Sequence, residues 1–248
     1  CEFFPASDIE TIEVLAEAIN DMDVDIIAFQ EIKERGWFDD LVDLIPEYDY
    51  AISNQSSFMD QALVFKKDSF KFIRQVEPFA DRDYNFAGRP PLRIDLKSKK
   101  NEDYISIINL HMKCCNSGLQ RRKKASEMLH QYLSKEMDEG YSNFIVLGDW
   151  NDDLKDNYGE HCFDPFLNDD RFFFPTLDIT YDISQASYPK EPYVSFLDHI
   201  MVSEELIPRG KSYKINTLLM GEYMGGYDIY ETYISDHRPV LLSFSVTK

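Results

Sequence analysis

Hydrophobic positions recur along this chain at two spacings, and turn residues mark where one gives way to the other. Ile12, Leu15, Ala16 and Ile19 fall at helical intervals behind Ser7-Asp8-Ile9-Glu10, a capping-box pattern. Val24 to Phe29 then reads as a buried strand. Leu41, Leu44 and Ile45 suggest a short helix, stopped by Pro46. Tyr48 to Ile52, Ala62 to Phe65 and Phe70 to Val76 predict three strands of a meander, with Leu92 to Leu96 and Tyr104 to Leu110 as the next two. Helical spacing returns from about Leu119 to Met137, where Ala125, Met128, Leu129, Tyr132 and Leu133 share an apolar face. A strand over Phe144 to Leu147 leads into an irregular, aromatic-rich stretch from Tyr158 to Tyr193. Strands follow at Phe196 to Val202, Lys211 to Leu219 and Val240 to Val246. Many strands with helices inserted between some of them imply two packed sheets with helices outside. Periodicity alone reaches only an α/β or α+β class.

The polar residues at the strand ends add chemistry. Ile26 to Phe29 runs into Gln30-Glu31, and Phe144 to Leu147 runs into Gly148-Asp149-Trp150-Asn151. Ser235-Asp236-His237 comes just before the last apolar run. Three strands thus carry a carboxylate at or beside one end. Acids gathered at one sheet edge need a cation, which points to a metal-dependent hydrolase of phosphate esters.

Five segments, in order, carry a family resemblance: Gln30-Glu31, Asn109-Leu110-His111, Gly148-Asp149-Trp150-Asn151, Leu197-Asp198-His199 and Ser235-Asp236-His237. Each is weak alone. Together they resemble the endonuclease/exonuclease/phosphatase superfamily, which shares the pancreatic deoxyribonuclease fold, and they span residues 25 to 245. The run from Asn109 to Cys115 (Asn-x-His-x-Lys-Cys-Cys) is most similar to bacterial nuclease-like members. The resemblance implies one catalytic domain over residues 1–248, built as a four-layer α/β/β/α sandwich of two mixed sheets. Such proteins open with a strand ending in a metal-binding Asn. The chain here starts at Cys1, so the expected reading is a truncated record that lacks this strand.

The resemblance also implies roles. Glu31 is the expected ligand of Mg²⁺ or Mn²⁺, with Asp236 contributing directly or through water and Gln30 bracing the site. Asp149 orients or deprotonates the attacking water, and Asn151 donates to a phosphate oxygen. His237 contacts the scissile phosphate as donor or general base, with Asp198 fixing its tautomer. His111 stabilises phosphate or the leaving oxygen. Asn109 and Lys113 share its side of the strand by alternation; these two and Arg89 are the further phosphate-binding candidates. His199 is read as structural, His130 as packed or solvated and His161 as exposed. Asp152 and Asp153 are read as loop solvation or caps.

Composition narrows the substrate. The chain has 248 residues, and 44% apolar content is ample for a core, but its net charge is −19. Tight nonspecific binding to a polyanion rests on Lys and Arg, so a nuclease would need a local basic strip. Arg121-Arg122-Lys123-Lys124, with Lys113 and Arg89, is the candidate; the solvated face of a helix is the plainer reading. No apolar run approaches the roughly 18 residues that span a bilayer, and the N-terminus lacks a signal-peptide pattern. A monomer acting on DNA or RNA is the first expectation, and a phosphatase or phosphodiesterase for inositol or lipid headgroups the second. A noncatalytic binding protein of this fold is third, against which stand so many mutually repelling groups. The four cysteines lack zinc-site spacing. A disulfide from the Cys114-Cys115 segment to Cys1 or Cys162, in an exported protein, competes with four thiols in a cytoplasmic one. A bond between Cys114 and Cys115 themselves is set aside because its eight-membered ring is strained.

Overall fold

The computed structural model describes Phe4 and residues 6–245. Its larger sheet has six strands, β4 (Phe70–Val76), β5 (Leu92–Ser98), β6 (Tyr104–His111), β7 (Phe144–Asp149), β8 (Phe172–Phe173) and β9 (Asp198–Ser203), in the order β4-β5-β6-β7-β9-β8. The smaller sheet is β1 (Ile26–Ile32), β3 (Asp60–Lys66) and β2 (Tyr48–Ile52), in that order, all antiparallel. β10 (Tyr213–Thr217) and β11 (Val240–Phe244) form a separate antiparallel pair, whose Tyr213, Ile215, Val240, Leu242 and Phe244 pack on the core between the sheets. Among the strands of the described residues, β6 and β7 are the one parallel pair, because α3 (Leu119–Asp138) carries the chain back between them.

Three apolar clusters separate four layers, as expected. Ile12, Leu15 and Ile19 of α1 (Asp8–Met22), with Phe38 and Leu41 of α2 (Arg35–Asp43), pack on Phe29, Ala62 and Val64 of the smaller sheet. Leu63 and Phe65 meet Ile94, Leu96, Ile107 and Ile145 between the sheets. Ile108, Leu110 and Val146 meet Leu129 and Leu133 of α3 on the far side. Ile107 and Ile108 thus face different cores, which is why the run through β6 is apolar without a break. The aromatic-rich stretch holds α4 (Asp164–Leu167) and β8. Its Phe163, Phe166 and Phe174 rings crowd around the buried Trp150.

Some local expectations change. The meander is divided: β2 and β3 belong to the smaller sheet, whereas β4 begins the larger one. A tight turn carries no record of which layer the next strand joins. The capping box is not formed either. Ser7 Oγ donates to the Thr232 carbonyl at 3.0 Å, and Thr11 Oγ1, not Glu10, accepts from the Ser7 N–H at 2.7 Å. Two short helices, α5 (Gly221–Met224) and α6 (Tyr227–Tyr233), precede the last strand. No helix among the described residues is long and apolar enough to cross a membrane.

Two features set the ends of the strands. The free edge of β1 carries a single parallel bridge, from Phe4 to Ile32, and β11 pairs only with β10. Between them lies a cleft of about 1150 Å³, whose lining includes Ile26, Ala28, Leu147, His237, Val240 and Leu242. Asn109 ties the two sheets together. Its side chain is fully buried, and its amide donates to the carbonyls of Phe29 at 2.8 Å and Ala62 at 3.0 Å. Gln30 Nε2 donates back to Asn109 Oδ1 at 2.6 Å. The phosphate-contact reading of Asn109 is therefore corrected: every polar atom of its side chain is committed within the protein. Asn109→Leu should leave two carbonyls and Gln30 unsatisfied and cost roughly 2–4 kcal/mol, measured by urea unfolding. An unchanged midpoint would mean that the strut carries no load.

Candidate active site

Register builds the site. His111 at the end of β6 pairs with Asp149 at the end of β7, and Asp149 pairs with Asp198 at the start of β9. Three chemically active residues therefore stand in one row across adjacent strands. Gly148 allows β7 to lie this close. It has φ 128°, and a Cβ there would fall 2.1 Å from the Leu110 carbonyl oxygen. From the facing sheet, β1 delivers Glu31, held at φ 61° beside a register shift between Phe29 and Ile32. Glu31 Oε1 lies 3.5 Å and Asp149 Oδ2 3.3 Å from His111 Nε2. His237, just before β11, completes the group, its Nδ1 2.7 Å from Asp198 Oδ2.

Neighbouring groups hold these side chains in place. Asn151 bonds both oxygens of Asp149, through its backbone N–H at 2.7 Å and its amide at 2.6 Å. The same amide donates to the Met112 carbonyl at 3.1 Å. Asn151 is thus a brace of Asp149 here, which corrects the reading of its amide as a free phosphate donor. The Ser187 hydroxyl accepts the N–H groups of Leu197 and Asp198 at 3.0 and 3.1 Å. Tyr230 donates to the His237 carbonyl at 2.6 Å, and the Tyr188 ring lies 5.2 Å from the imidazole. Ser187, Tyr188 and Tyr230 were not foreseen; no local pattern marks them, because they act through contacts far along the chain.

The electrostatics split the two row carboxylates. Burial, reinforced by Asp198 and Glu31, raises the pKa of Asp149 to about 7 in spite of His237. Burial would raise Asp198 too, but the imidazole charge of His237 and the bonds from His237 and Ser187 hold it below its usual range. Burial would lower His237, yet Asp198, then Asp149 and Asp236, lift it to about 10. Burial and the nearby Arg89 keep His111 well below 6.5, hence neutral, and its Nδ1 is buried without a hydrogen-bond partner. Arg89, 8% exposed, donates to the Met112 carbonyl at 3.0 Å, while its Nε is unpartnered. Burial lowers its pKa, and Asp149 and Glu31 attract its charge.

Other expectations meet a different geometry. Lys113 Nζ lies 3.2 Å from Cys114 Sγ. Asp236 stands beside His237, its backbone carbonyl held by the Tyr227 hydroxyl at 2.7 Å. The basic strip disperses. Arg122 is buried against Asp152, Lys123 donates to the Gly159 carbonyl, Lys124 pairs with Glu127, and Arg121 stacks 4.3 Å over the Tyr84 ring. Asp152 and Asp153, read as loop solvation or caps, are buried; Asp153 caps backbone N–H groups, accepting those of Lys155 and Phe196, each at 3.1 Å. His161 is buried as well, its Nδ1 accepting the Phe163 N–H at 3.2 Å. His199 is structural, its Nε2 3.0 Å from the carbonyls of Asp152 and Phe196. His130 packs on Phe166 and Phe172 and bonds Asp169 at 2.8 Å. Cys162 is a free thiol buried in the core under α3, so no disulfide joins it to Cys114 or Cys115. Cys1 lies outside the described residues.

The donors suit a hard divalent ion. Among the described residues no three carboxylate, imidazole or thiol groups converge as a complete cage. An ion that keeps several waters needs only one or two carboxylates. Burial, with Asp198 and Glu31, raises the pKa of Asp149 in spite of His237, so a cation bound beside these carboxylates would favour their charged forms.

Comparison with known proteins agrees with this fold. The chain matches the model described as Endonuclease/Exonuclease/phosphatase family over residues 5–237. No curated protein sequence matches it. Among solved structures, a mannosyl-6-phosphatase from Bacteroides thetaiotaomicron is 19% identical with a TM-score of 0.69, covering 96% of this chain and 91% of its own. The human Nocturnin catalytic domain with bound sulfate is 17% identical, with a TM-score of 0.67 and coverage of 96% and 87%. D. rerio TDP2 complexed with a single-strand DNA product is 17% identical, with a TM-score of 0.69 and coverage of 96% and 93%. Identities this low establish likeness of fold.

The Asp198–His237 pair gives a pH signature. A His raised from 6.5 to about 10 adds stability that is complete below about 6.5 and is lost as pH rises through about 10. Asp198, depressed below 3.8, contributes above that value. In chelator, wild type should therefore exceed Asp198→Asn in stability most between about pH 4 and 6.5, and the gap should close towards pH 10. Denaturation curves across pH measure this; a gap that widens on the alkaline side would refute the pairing.

Proposed function

The chain belongs to the endonuclease/exonuclease/phosphatase family, and on that premise we propose that it hydrolyses phosphodiester bonds of DNA or RNA with a divalent cation, by direct attack of an activated water. One observation carries the reading. The register row of His111, Asp149 and Asp198, joined by His237 through its bond to Asp198, brings together a carboxylate near pKa 7 at Asp149 and an imidazole near pKa 10 at His237. A base and an acid with pKa values pushed apart in a single site are what phosphoester hydrolysis requires.

Glu31, with Asp236, would hold Mg²⁺ or Mn²⁺; when bound, such an ion draws charge from a phosphate and acidifies water. Asp149, its oxygens fixed by Asn151, takes the proton of the attacking water. With a pKa near 7 it accepts at neutral pH yet releases the proton readily. His237 stays charged under the same conditions, so donation to a phosphate oxygen fits it better than a general-base role. Asp198 keeps that imidazole oriented. His111, neutral, stabilises the departing oxygen. Arg89 and Lys113 supply positive charge to the phosphate.

A second reading has its own support. The dispersal of Arg121 to Lys124, on a chain of net charge −19, leaves little basic surface for a long polyanion. It favours a small phosphorylated compound or a lipid headgroup. Supercoiled DNA, single-stranded DNA, RNA, inositol phosphates and sphingomyelin, each offered with Mg²⁺ or Mn²⁺, separate the two. Cleavage of the small substrates alone would replace the nuclease reading.

Excess chelator should abolish turnover, and either cation should restore it; full activity in chelator would exclude the cation. His237→Ala and Asp149→Asn should each lose roughly 100-fold or more in kcat, while His130→Ala stays near wild type. Equal losses at His130 and His237 would overturn the assignment. Mg²⁺ should raise the melting temperature of wild type by mass action, and by less in Glu31→Gln. An equal rise in both would remove Glu31 from the ion's ligands.

A further inference from the structure

The turn after β6 places two thiols that the hydrolytic chemistry leaves unused. Cys115 donates its thiol to Cys114 across 3.0 Å, although neighbours on an extended chain point apart. The backbone enforces the contact. Cys115 has φ 69° and ψ 163°, a region rarely adopted by any residue with a Cβ. A buried arginine holds that conformation. Arg122 Nη1 donates to the carbonyls of Lys113 at 2.9 Å and Cys115 at 2.8 Å, while its Nε bonds Asp152 at 3.1 Å. The Gly118 N–H closes the turn on the Cys115 carbonyl at 2.9 Å.

The two sulfurs are not equivalent. Cys114 is half-buried and receives the Lys113 ammonium at 3.2 Å; Cys115 is exposed. Burial opposes ionisation of Cys114, but the bonds from Cys115 and Lys113 outweigh it and lower its pKa. The bond to Cys114 raises that of Cys115. A thiolate next to a thiol and a cation is the arrangement that exchanges with disulfides.

We propose that Cys114 and Cys115 form a redox-modification site, a vicinal dithiol that low-molecular-weight disulfides convert to a disulfide between the two neighbours. The Cys114 thiolate attacks one sulfur of the small disulfide, forming a mixed disulfide and expelling one thiolate. Cys115 gives up its proton, and its sulfur attacks that of Cys114, expelling the second. The protein loses two electrons and two protons as the small disulfide becomes two thiols. Ring strain, the reason for setting this bond aside from the sequence, is met in part by the turn already imposed at Cys115. It also makes the bond readily reversible, as regulatory disulfides are.

The site is coupled to the phosphate through Lys113, a consequence that rests on the proposed role of that residue. In the dithiol form the ammonium is engaged by Cys114; in the disulfide form it has no thiolate to hold it. Oxidation should therefore lower KM roughly tenfold or more, the worth of one hydrogen bond to a charged group.

The whole protein treated with oxidised glutathione, alkylated under denaturing conditions and digested with trypsin, provides the test. The peptide Cys114–Arg121 should lose two hydrogens and carry no glutathione, and dithiothreitol should reverse this. Cys115→Ser should stop at glutathione on Cys114. Both cysteines remaining alkylatable, a stable glutathione adduct in wild type, or a bond from either to another cysteine would overturn the proposal. Disulfide formation with KM unmoved would overturn the coupling to Lys113 and leave the hydrolase reading intact. Failure of the reduced protein to cleave any phosphoester would count against the hydrolase reading alone.

Discussion

The parallel pairing of β6 with β7 is the constraint on which the site depends. It is the one parallel contact among the described strands, and it brings two strand ends to the same edge. Antiparallel β9 then enters where β7 leaves, so His111, Asp149 and Asp198 become lateral neighbours. A slip of one residue along any of these strands would send its functional group to the opposite face. The apolar runs of β6 and β7 would stay buried after such a slip, but Asn109 would lose its bonds to Phe29, Ala62 and Gln30, which oppose it.

The row is electrostatically unfavourable, and its relief is local and unequal. Asp198 has His237 and Ser187 to hold its charge; Asp149 has Asn151 and is left close to half-protonated at neutral pH. Two identical side chains on adjacent strands thus do different work, because desolvation is offset at one and not at the other. Glu31, brought from the other sheet, adds to the imbalance. Like charges gathered in a poorly solvated place weaken the fold unless a counterion joins them.

Polar struts couple this edge to the rest of the molecule. Asn109 and Gln30 join the sheets directly beneath the row, so the spacing of Glu31 from His111 is set by hydrogen bonds as well as by apolar packing. Arg122 does comparable work above it. One guanidinium fixes the Asp152 loop and the turn after β6 together. Loops at the catalytic edge are therefore clamped from within α3, and the residues between His111 and Cys115 form a rigid connection between the hydrolytic groups and the thiols.

Much of the fold was legible in the sequence. The helical spacing of Ile12 to Ile19 and of Ala125 to Leu133, the apolar strands and the acids at their ends are local signals, read from a few consecutive residues. The five ordered segments named the family because each keeps its chemistry in a short run. Other features depend on which groups exclude water from one another, and no window of sequence contains that. Asp198 and His237 pair across 39 positions. Asn109 looked like a phosphate ligand and is a strut; Arg122 looked like a basic surface and is a buried clamp. Asp152, Asp153 and His161 looked solvated and are enclosed. The same limit applies to β4, whose pattern fits either sheet, and to Cys114 and Cys115, which only a positive φ brings into contact. The sequence by itself determined which segments would be helix or strand and which residue types would stand at the strand ends. The tertiary structure alone decided which charges were buried, which partners stabilised them, and hence what each could do.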